Sequence, residues 1–160
     1  MKTAIFYSTK YGSVEKCIEI LKKEISGEIE IINLKKRKSY PKIDGYDRVI
    51  VAGSVYAGRI QKEVKEFCLK NSNELECKNS SYFICASNIE KSKEQLALSF
   101  PENLLKKAVA ADCFGGELIL KKLNFFEKFL VKSAAKIRED FCNINEEKIA
   151  QFARTVESAK

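Results

Sequence analysis

The chain has 160 residues, of which 45% are hydrophobic and 32% are charged. This size and balance are typical of one globular domain and exclude a disordered or low-complexity protein, so we expect a single domain over residues 1–160. The formal net charge of +7 suits an acidic partner, an anionic substrate or anionic lipid. No recognisable nucleic-acid module accompanies that charge, and no nucleic-acid partner is expected.

Short apolar runs predict β-strands, and the stretches between them carry apolar residues at helical spacing. In chain order, strands are predicted at residues 2–7, 28–34, 46–54, 81–87 and 108–116, and helices at 13–25, 60–71, 90–99, 122–138 and 146–158. Strands that alternate with helices, and central strands that are apolar throughout, predict an α/β fold. We expect a doubly wound sheet of five parallel strands with helices on both faces.

In such a sheet, ligands bind outside the carboxyl ends of the strands, where the strand order reverses. This rule directs attention to three loops, which we call the first loop (residues 8–13), the second loop (54–60) and the third loop (87–91).

The first loop reads Ser8, Thr9, Lys10, Tyr11, Gly12 and Ser13. It leads into a helix whose first N–H groups lack internal partners, and its hydroxyl groups and Gly12 suit a phosphate. The alternative is an ordinary helix cap by Ser13. The motifs of P-loop nucleoside triphosphatases and dinucleotide-binding Rossmann sites are both missing here.

The second loop places Val55 and Tyr56 between Gly53 and Gly58. An exposed aromatic side chain in that position can lie flat against a planar ring, while backbone N–H and C=O groups form hydrogen bonds with the polar edge of the ring. A glycine-rich turn with Tyr56 covering the sheet edge is the alternative. The third loop adds hydroxyl and amide groups to the same crevice, or simply caps the next helix through Ser87 or Asn88.

The chain has no histidine, and its six cysteines form no C-x-x-C pair. Histidine-based catalytic triads are therefore excluded, and zinc, iron–sulfur and thioredoxin chemistry are disfavoured. We expect reduced cysteines that act as small hydrophobic residues in a cytoplasmic protein. Neither a targeting signal nor an apolar run of membrane-spanning length is visible, so any membrane contact would be peripheral.

Three stretches together resemble a flavodoxin-like, FMN-binding domain: "IFYSTKYGSVEK", "VIVAGSVYAGRIQKEVKEF" and "YFICASNIEK". The likeness continues through "FPENLLKKAVAADCFGGELILKKLNFFEKFLV" and is greatest to the flavodoxin-domain proteins grouped with menaquinone-dependent protoporphyrinogen oxidase. This resemblance implies FMN as the cofactor and the strand order 2-1-3-4-5. The implied cofactor-binding residues are Ser8, Thr9, Lys10, Tyr11, Gly12 and Ser13 around the phosphate, with Ser54, Val55, Tyr56, Ala57, Gly58, Arg59, Ser87, Asn88 and Ile89 flanking the isoalloxazine ring.

Two residues depart from the family pattern. Val14 stands where a threonine is usual in the phosphate loop, and Gln61 stands where members of the group often have histidine. The resemblance implies that FMN carries the redox chemistry, so no catalytic side chain is assigned. Arg59 and N–H groups of the second and third loops are expected to stabilise the reduced, anionic flavin.

The stretch at 118–136 combines Leu123, Phe126 and Phe129 with several lysines. It is typical of a basic amphipathic helix that touches a membrane surface, where a quinone would be found, although its apolar side could instead pack on the domain. The run "KKRK" at 35–38 is interpreted as a solvated loop.

The leading hypothesis is an FMN-dependent oxidoreductase that passes electrons from a reduced organic substrate to a quinone or similar acceptor. A small electron-transfer flavodoxin with only protein redox partners is the alternative, and a flavin-free binding domain is a third. The expected location is the cytoplasm, with peripheral contact at the inner membrane surface.

Overall fold

Parallel strands form the centre of the molecule in the computed structural model, which describes residues 1–36, 39, 42–134 and 137–159. The strands are β1 (Lys2–Ser8), β2 (Glu28–Asn33), β3 (Arg48–Tyr56), β4 (Arg59–Ile60), β5 (Asn79–Cys85), β6 (Ala110–Cys113), β7 (Glu117–Leu118) and β8 (Phe141–Cys142). Among the described residues, five of them pair in parallel in the order β2-β1-β3-β5-β6. The expected fold and the order 2-1-3-4-5 are confirmed, since β4 is only a short antiparallel addition to β3.

Helices cover both faces of this sheet. They are α1 (Ser13–Glu24), α2 (Lys62–Lys70), α3 (Ser72–Glu76), α4 (Ser92–Ser99), α5 (Glu102–Lys107), α6 (Phe125–Ala134) and α7 (Glu146–Ser158), with 3-10 turns at Ile43–Gly45 and Leu120–Lys122. On one face, α1 and α7 pack on Ile5, Ile50 and Phe83. On the other, α2, α3 and α5 pack on Phe6, Val51 and Tyr82. Neighbouring strand residues thus point to opposite cores, which is why the centres of β1, β3 and β5 are apolar at consecutive positions.

The stretch between β6 and α7 departs from this alternation. We call residues 117–142 the cap segment. It begins with β7 and ends with β8, which pair with each other in an antiparallel manner, and it contains the 3-10 turn and α6. Hence the cap segment leaves and rejoins the domain at one place.

Several predicted boundaries were wrong. The helix predicted at 122–138 is divided into a 3-10 turn and α6, which begins at Phe125. The strand predicted at 81–87 lies at Asn79–Cys85, where Ser80 and Ser81 are buried. Residues 135 and 136 of the predicted helix, and 37 and 38 of the basic run, lie outside the described residues.

The cysteines of the described chain are free thiols. Cys17 and Cys85 lie in one core and Cys68 and Cys113 in the other, as expected of small hydrophobic residues, whereas Cys77 and Cys142 are exposed and depart from that expectation. Burial raises the pKa of Cys68 to about 12, so this thiol stays protonated at neutral pH.

Candidate functional site

The first and second loops meet where the strand order reverses. β1 lies between β2 and β3, and its last residue, Ser8, is the partner of Gly53 in β3. The next residue of β3, Ser54, is the partner of Cys85 at the end of β5. The carboxyl ends of three neighbouring strands therefore share one edge, as the sheet rule predicts.

The first loop leaves the start of α1 free of any side-chain cap. Gly12 takes the N-cap position at a φ of 97°, a left-handed conformation that favours glycine, and its N–H donates to Thr9 Oγ1 at 3.1 Å. The alternative in which Ser13 caps the helix is therefore wrong. Ser13 is the first helical residue, and its hydroxyl contacts the backbone of Glu117 in the cap segment. Val14 is fully buried and adds no side chain to the loop.

Lys10 connects the first loop to the second loop and to α6. Its backbone N–H donates to Ser54 Oγ at 3.1 Å. Its ammonium group lies 3.4 Å from the centroid of the Tyr56 ring and 2.6 Å from Glu127 Oε1. A cation is thus held against an aromatic face at the edge of the crevice.

Tyr11 lies between Tyr56 and the cap segment. The two tyrosine rings meet edge to face, with centroids 5.9 Å apart. Lys122 Nζ donates to the Tyr11 carbonyl oxygen at 3.0 Å. Burial, followed by the nearby Glu127 carboxylate, raises the pKa of the Tyr11 hydroxyl, which keeps it neutral.

Glu127 explains why α6 begins where it does. Asn124 Oδ1 accepts from the Glu127 N–H at 2.8 Å, and Glu127 Oε2 accepts from the Asn124 N–H at 3.0 Å. These reciprocal bonds form a capping box. The Lys10 ammonium, then Tyr11 and the Asn124 N–H, lower the pKa of Glu127 to about 2, so its carboxylate is charged over the whole neutral range.

The second loop is a β-hairpin, which corrects the prediction of a loop over residues 54–60. β3 continues to Tyr56, which pairs with Arg59, and the two-residue turn between them has φ values of 49° at Ala57 and 74° at Gly58. Two positive φ values are the mark of a type I′ turn. Gln61 Oε1 accepts from the Ser54 N–H at 2.8 Å and fixes the base of the hairpin.

The third loop is irregular, as predicted, and is held from two sides. The Ser87 carbonyl oxygen accepts from Asn143 Nδ2 at 3.1 Å. Asn88 Oδ1 accepts from the Lys91 N–H at 3.2 Å, so Asn88 organises the turn before α4. Ile89 remains 51% exposed.

A narrow cleft and an open groove lie side by side at this edge. The cleft has a volume of about 50 Å³ and brings together seven of the predicted residues, namely Lys10, Tyr11, Ser13, Ser54, Val55, Tyr56 and Ser87. The groove has a volume of about 460 Å³ and is lined by Ser87, Asn88, Ile89, Glu90, Ile137 and Phe141. Ser87 lines both spaces, which therefore adjoin at the third loop.

Other predicted residues lie beside these spaces without lining them. Ser8 is fully buried beneath the first loop, while Thr9 and Gly12 build the loop through their mutual hydrogen bond. Ala57, Gly58 and Arg59 form the exposed tip of the hairpin.

The sequence prediction missed the contribution of the cap segment. Glu117 and Leu118 of the cap segment also line the cleft, together with Cys85 at the end of β5 and Gly116, which directly precedes the cap segment. A Cβ at Gly116 would lie 3.1 Å from the Ala86 carbonyl carbon, so only glycine allows this backbone to approach the third loop so closely. The "FGGEL" and "KLNFFEKF" stretches were recognised as part of the family resemblance, but their residues were not placed in the site.

The residues present fit the phosphate and the ring of FMN. Around the first loop lie the free N-terminal turn of α1 and the ammonium groups of Lys10 and Lys122, which together favour a phosphate dianion. Ser8 Oγ is buried and has no hydrogen-bond partner among the residues that the structure describes. Tyr56 offers an aromatic surface next to them.

Comparisons with known proteins agree with this fold. A family model described as a flavodoxin domain matches residues 4–144. Protoporphyrinogen IX dehydrogenase (quinone) of Escherichia coli (strain K12) is 24% identical to the chain over 172 residues, covering 98% of this chain and 94% of that protein.

Solved structures show the same architecture. Rubredoxin oxygen:oxidoreductase from Desulfovibrio gigas has a TM-score of 0.62 at 17% identity, over 99% of this chain, and the chain spans 35% of the length of that structure. Oxidised flavodoxin 1 from Bacillus cereus has a TM-score of 0.56 at 12% identity, over 100% of this chain and 99% of that one. At these identities the likeness establishes the fold alone.

Proposed function

The chain belongs to the flavodoxin domain family, and from this premise we propose that it is an FMN-dependent oxidoreductase that passes electrons from a reduced organic substrate to a quinone or similar acceptor. Its family makes FMN the cofactor. The name of the Escherichia coli relative supports the choice of a quinone acceptor and of a protoporphyrinogen-like substrate. The proposal treats residues 1–160 as one flavodoxin-like domain.

One observation carries the proposal. The first loop, with its uncapped helix and two lysine ammonium groups, lies beside the Tyr56 ring at the carboxyl edge of the sheet. An anion-binding turn next to an aromatic surface suits a molecule with a phosphate at one end and a planar ring at the other.

The proposed FMN-binding residues are those predicted from the sequence. Ser8 to Ser13 would hold the phosphate, and Ser54 to Arg59 with Ser87 to Ile89 would flank the ring. We add Lys122 to this set, because its ammonium group contacts the Tyr11 carbonyl oxygen and would supply a second cation at the first loop. Bound FMN would supply one- or two-electron chemistry, and the chain would bind it, orient it and keep positive charge near it.

No side-chain proton donor or acceptor is required by this proposal. Gln61 stands at the position where histidine is frequent in the group. Its Oε1 accepts a hydrogen bond from the Ser54 N–H and so holds the base of the hairpin. Tyr11 has a raised pKa and stays protonated, so it can donate a hydrogen bond but does not act as a base at neutral pH. Arg59 is exposed at the hairpin tip, where its charge would favour a reduced, anionic ring.

Quinones with long side chains reside in lipid, so the proposed acceptor brings the protein from the cytoplasm to a membrane surface. Among the described residues, no helix has the length and apolar character needed to cross a membrane. The proposed contact is therefore peripheral.

Steady-state turnover tests the proposal. Protein loaded with FMN and mixed anaerobically with protoporphyrinogen and a water-soluble quinone should oxidise the substrate catalytically. The FMN-free protein is the control and should show only the background rate. A holoprotein whose flavin exchanges electrons with protein partners alone would instead be an electron-transfer flavodoxin, and a chain that takes up no FMN would contradict both readings.

A further inference from the structure

Helix α6 exposes large apolar side chains to solvent. Phe125 is 90% exposed, Phe126 67%, Phe129 64% and Leu130 41%. Phenylalanine and leucine are normally among the most buried residues, and an apolar patch on a soluble domain marks a contact surface. The expectation that this stretch packs on its own domain holds for Leu123, which is 4% exposed, and not for these four residues.

The four side chains form one face of the helix. At about 100° per residue, Phe125, Phe129, Phe126 and Leu130 follow one another around an arc of about 140°. Glu127 lies on the other side of the helix, where it contacts Lys10 of the first loop. The helix therefore turns a polar side to the crevice and an apolar side to solvent.

Basic residues border the apolar arc. Lys128 and Lys132 are one helical turn apart and follow the arc on its Phe125 side, and exposed Lys121 precedes the helix. The acidic residue of α6, Glu127, is already paired with Lys10. The outer surface of α6 is thus apolar and positively charged, on a chain with a net charge of +7.

We propose that this outer surface of α6 docks on an anionic lipid bilayer, with the phenyl rings entering the interface and the lysines contacting lipid phosphates. This combination of Phe and Leu with flanking lysines is the pattern of interfacial helices. A protein partner fits less well, because protein–protein interfaces are depleted in lysine. The inference deepens the proposed function and rests on it, because a lipid-soluble acceptor gives the protein a reason to bind a membrane. Binding to vesicles can nevertheless be measured without any acceptor.

The chain has no tryptophan, so a single introduced one can report on the helix. The variant Phe125→Trp, loaded with FMN, is mixed with vesicles of phosphatidylglycerol and phosphatidylcholine. Its emission should shift to shorter wavelength as the ring enters the interface. The matched control is Leu98→Trp, because Leu98 is 67% exposed and belongs to α4, outside the cap segment. Its emission should stay unchanged.

Loss-of-binding variants separate the two components of the surface. The triple variant Phe125→Ser, Phe126→Ser, Phe129→Ser should lose sedimentation with the vesicles, and Leu98→Ser should retain it. Replacing Lys121, Lys128 and Lys132 by Gln should weaken binding to anionic vesicles by about fivefold per lysine and reduce its sensitivity to salt. FMN affinity and circular dichroism verify that each variant folds.

The outcomes are distinguishable. Equal spectral shifts for the two tryptophan variants, or equal binding to purely zwitterionic vesicles, would overturn the proposal. A wild-type chain that forms a dimer lost in the triple variant, without vesicle binding, would also overturn it in favour of a second copy as the occupant. Because these vesicles contain no quinone, failure here leaves the oxidoreductase proposal standing, and failure of turnover leaves the docking result standing.

Discussion

Lys10 has a carboxylate on one side and an aromatic ring on the other. Its ammonium group is 2.6 Å from Glu127 Oε1 and 3.4 Å from the Tyr56 centroid, and its side chain is 35% exposed. The negative charge of Glu127 thus lies close to the loop proposed to hold a phosphate. At this site the carboxylate and the phosphate would compete for the same cation.

Charge-neutral variants of this pair should change FMN affinity in opposite directions. Glu127→Gln removes the repulsion of the phosphate and should tighten FMN binding about three- to fivefold, while Lys10→Gln should weaken it about tenfold. The measurement is a titration followed by quenching of flavin fluorescence. Riboflavin, which lacks the phosphate, is the control and should bind both variants as it binds the wild type. Equal changes for FMN and riboflavin would show that the pair acts on the ring or on folding instead.

The hairpin of β3 and β4 carries strain at one residue. Ala57 has a φ of 49°, in the left-handed region that costs a residue with a Cβ about 1 kcal/mol or more. The following Gly58 has a φ of 74° and no atom within 4 Å of its hypothetical Cβ. Strain of this kind is often found at binding sites, and here it lies next to Tyr56.

Substitutions in this turn should report backbone strain directly. Ala57→Gly should raise the free energy of unfolding by about 0.5–1 kcal/mol, because glycine adopts this conformation freely. Gly58→Ala should lower it by about 1 kcal/mol without any steric clash. Urea unfolding curves measure both. Stabilisation of the chain by Gly58→Ala would be incompatible with a type I′ turn.

The central elements could be predicted because of their composition. Strands covered on both faces need apolar side chains at nearly every position, and β1 and β3 display this directly. Short α3 and α5 were missed because five and six residues are too few to establish a helical period. The hairpin was taken as a loop because "SVYAGR" lacks an Asn-Gly or Asp-Gly turn signal.

The site was predictable only where its residues are local in sequence. The first loop lies at the carboxyl end of β1 and Tyr56 is the last residue of β3, and the rule for parallel sheets locates both. Lys122, in contrast, reaches Tyr11 from 111 residues away. In a basic stretch, the sequence does not distinguish a lysine that contacts a loop from a lysine that is solvated. The contact of Lys122 follows only from the path of the cap segment.

At the scale of the whole molecule, α7 is tied to the sheet at the end opposite the site. Arg48 is 2% exposed at the start of β3, and its guanidinium pairs with Glu157 near the end of α7. Glu157 Oε2 also accepts from Ser26 Oγ at 2.7 Å. Loss of this carboxylate would leave a buried guanidinium without its charge partner, which is strongly unfavourable.

Glu157→Gln should therefore destabilise the protein by about 2–4 kcal/mol in thermal or urea unfolding. Glu19→Gln is the matched control, since Glu19 pairs with Lys22 on the surface and both side chains are exposed. That variant should change stability by less than about 1 kcal/mol. Equal effects of the two substitutions would mean that burial of Arg48 has no energetic role.

Three carboxylates with lowered pKa values set the response to acid. Hydrogen bonds from Ser26 lower the pKa of Glu157, those from Lys107 lower the pKa of Glu76, and Lys10 lowers that of Glu127 to about 2. Each group binds its proton less tightly in the folded chain than in the unfolded chain. Their stabilisation is complete above the ordinary pKa of 4.5 and is lost as the pH falls from there towards 2. Unfolding free energy should be level from about pH 7 to 5 and fall below it, with a shallower fall in Glu157→Gln. A decline that begins above pH 6 would indicate another titrating group.

The cap segment departs after Leu118 and returns at Phe141, and these two residues are partners in one short ladder. A segment whose ends lie side by side can change its outward side chains while its inward contacts and the surrounding framework stay in place. Evolution can accordingly change the proposed docking surface while the contacts of the nucleotide-binding site are kept. Attachment and chemistry are then free to diverge at separate rates among descendants of one ancestor.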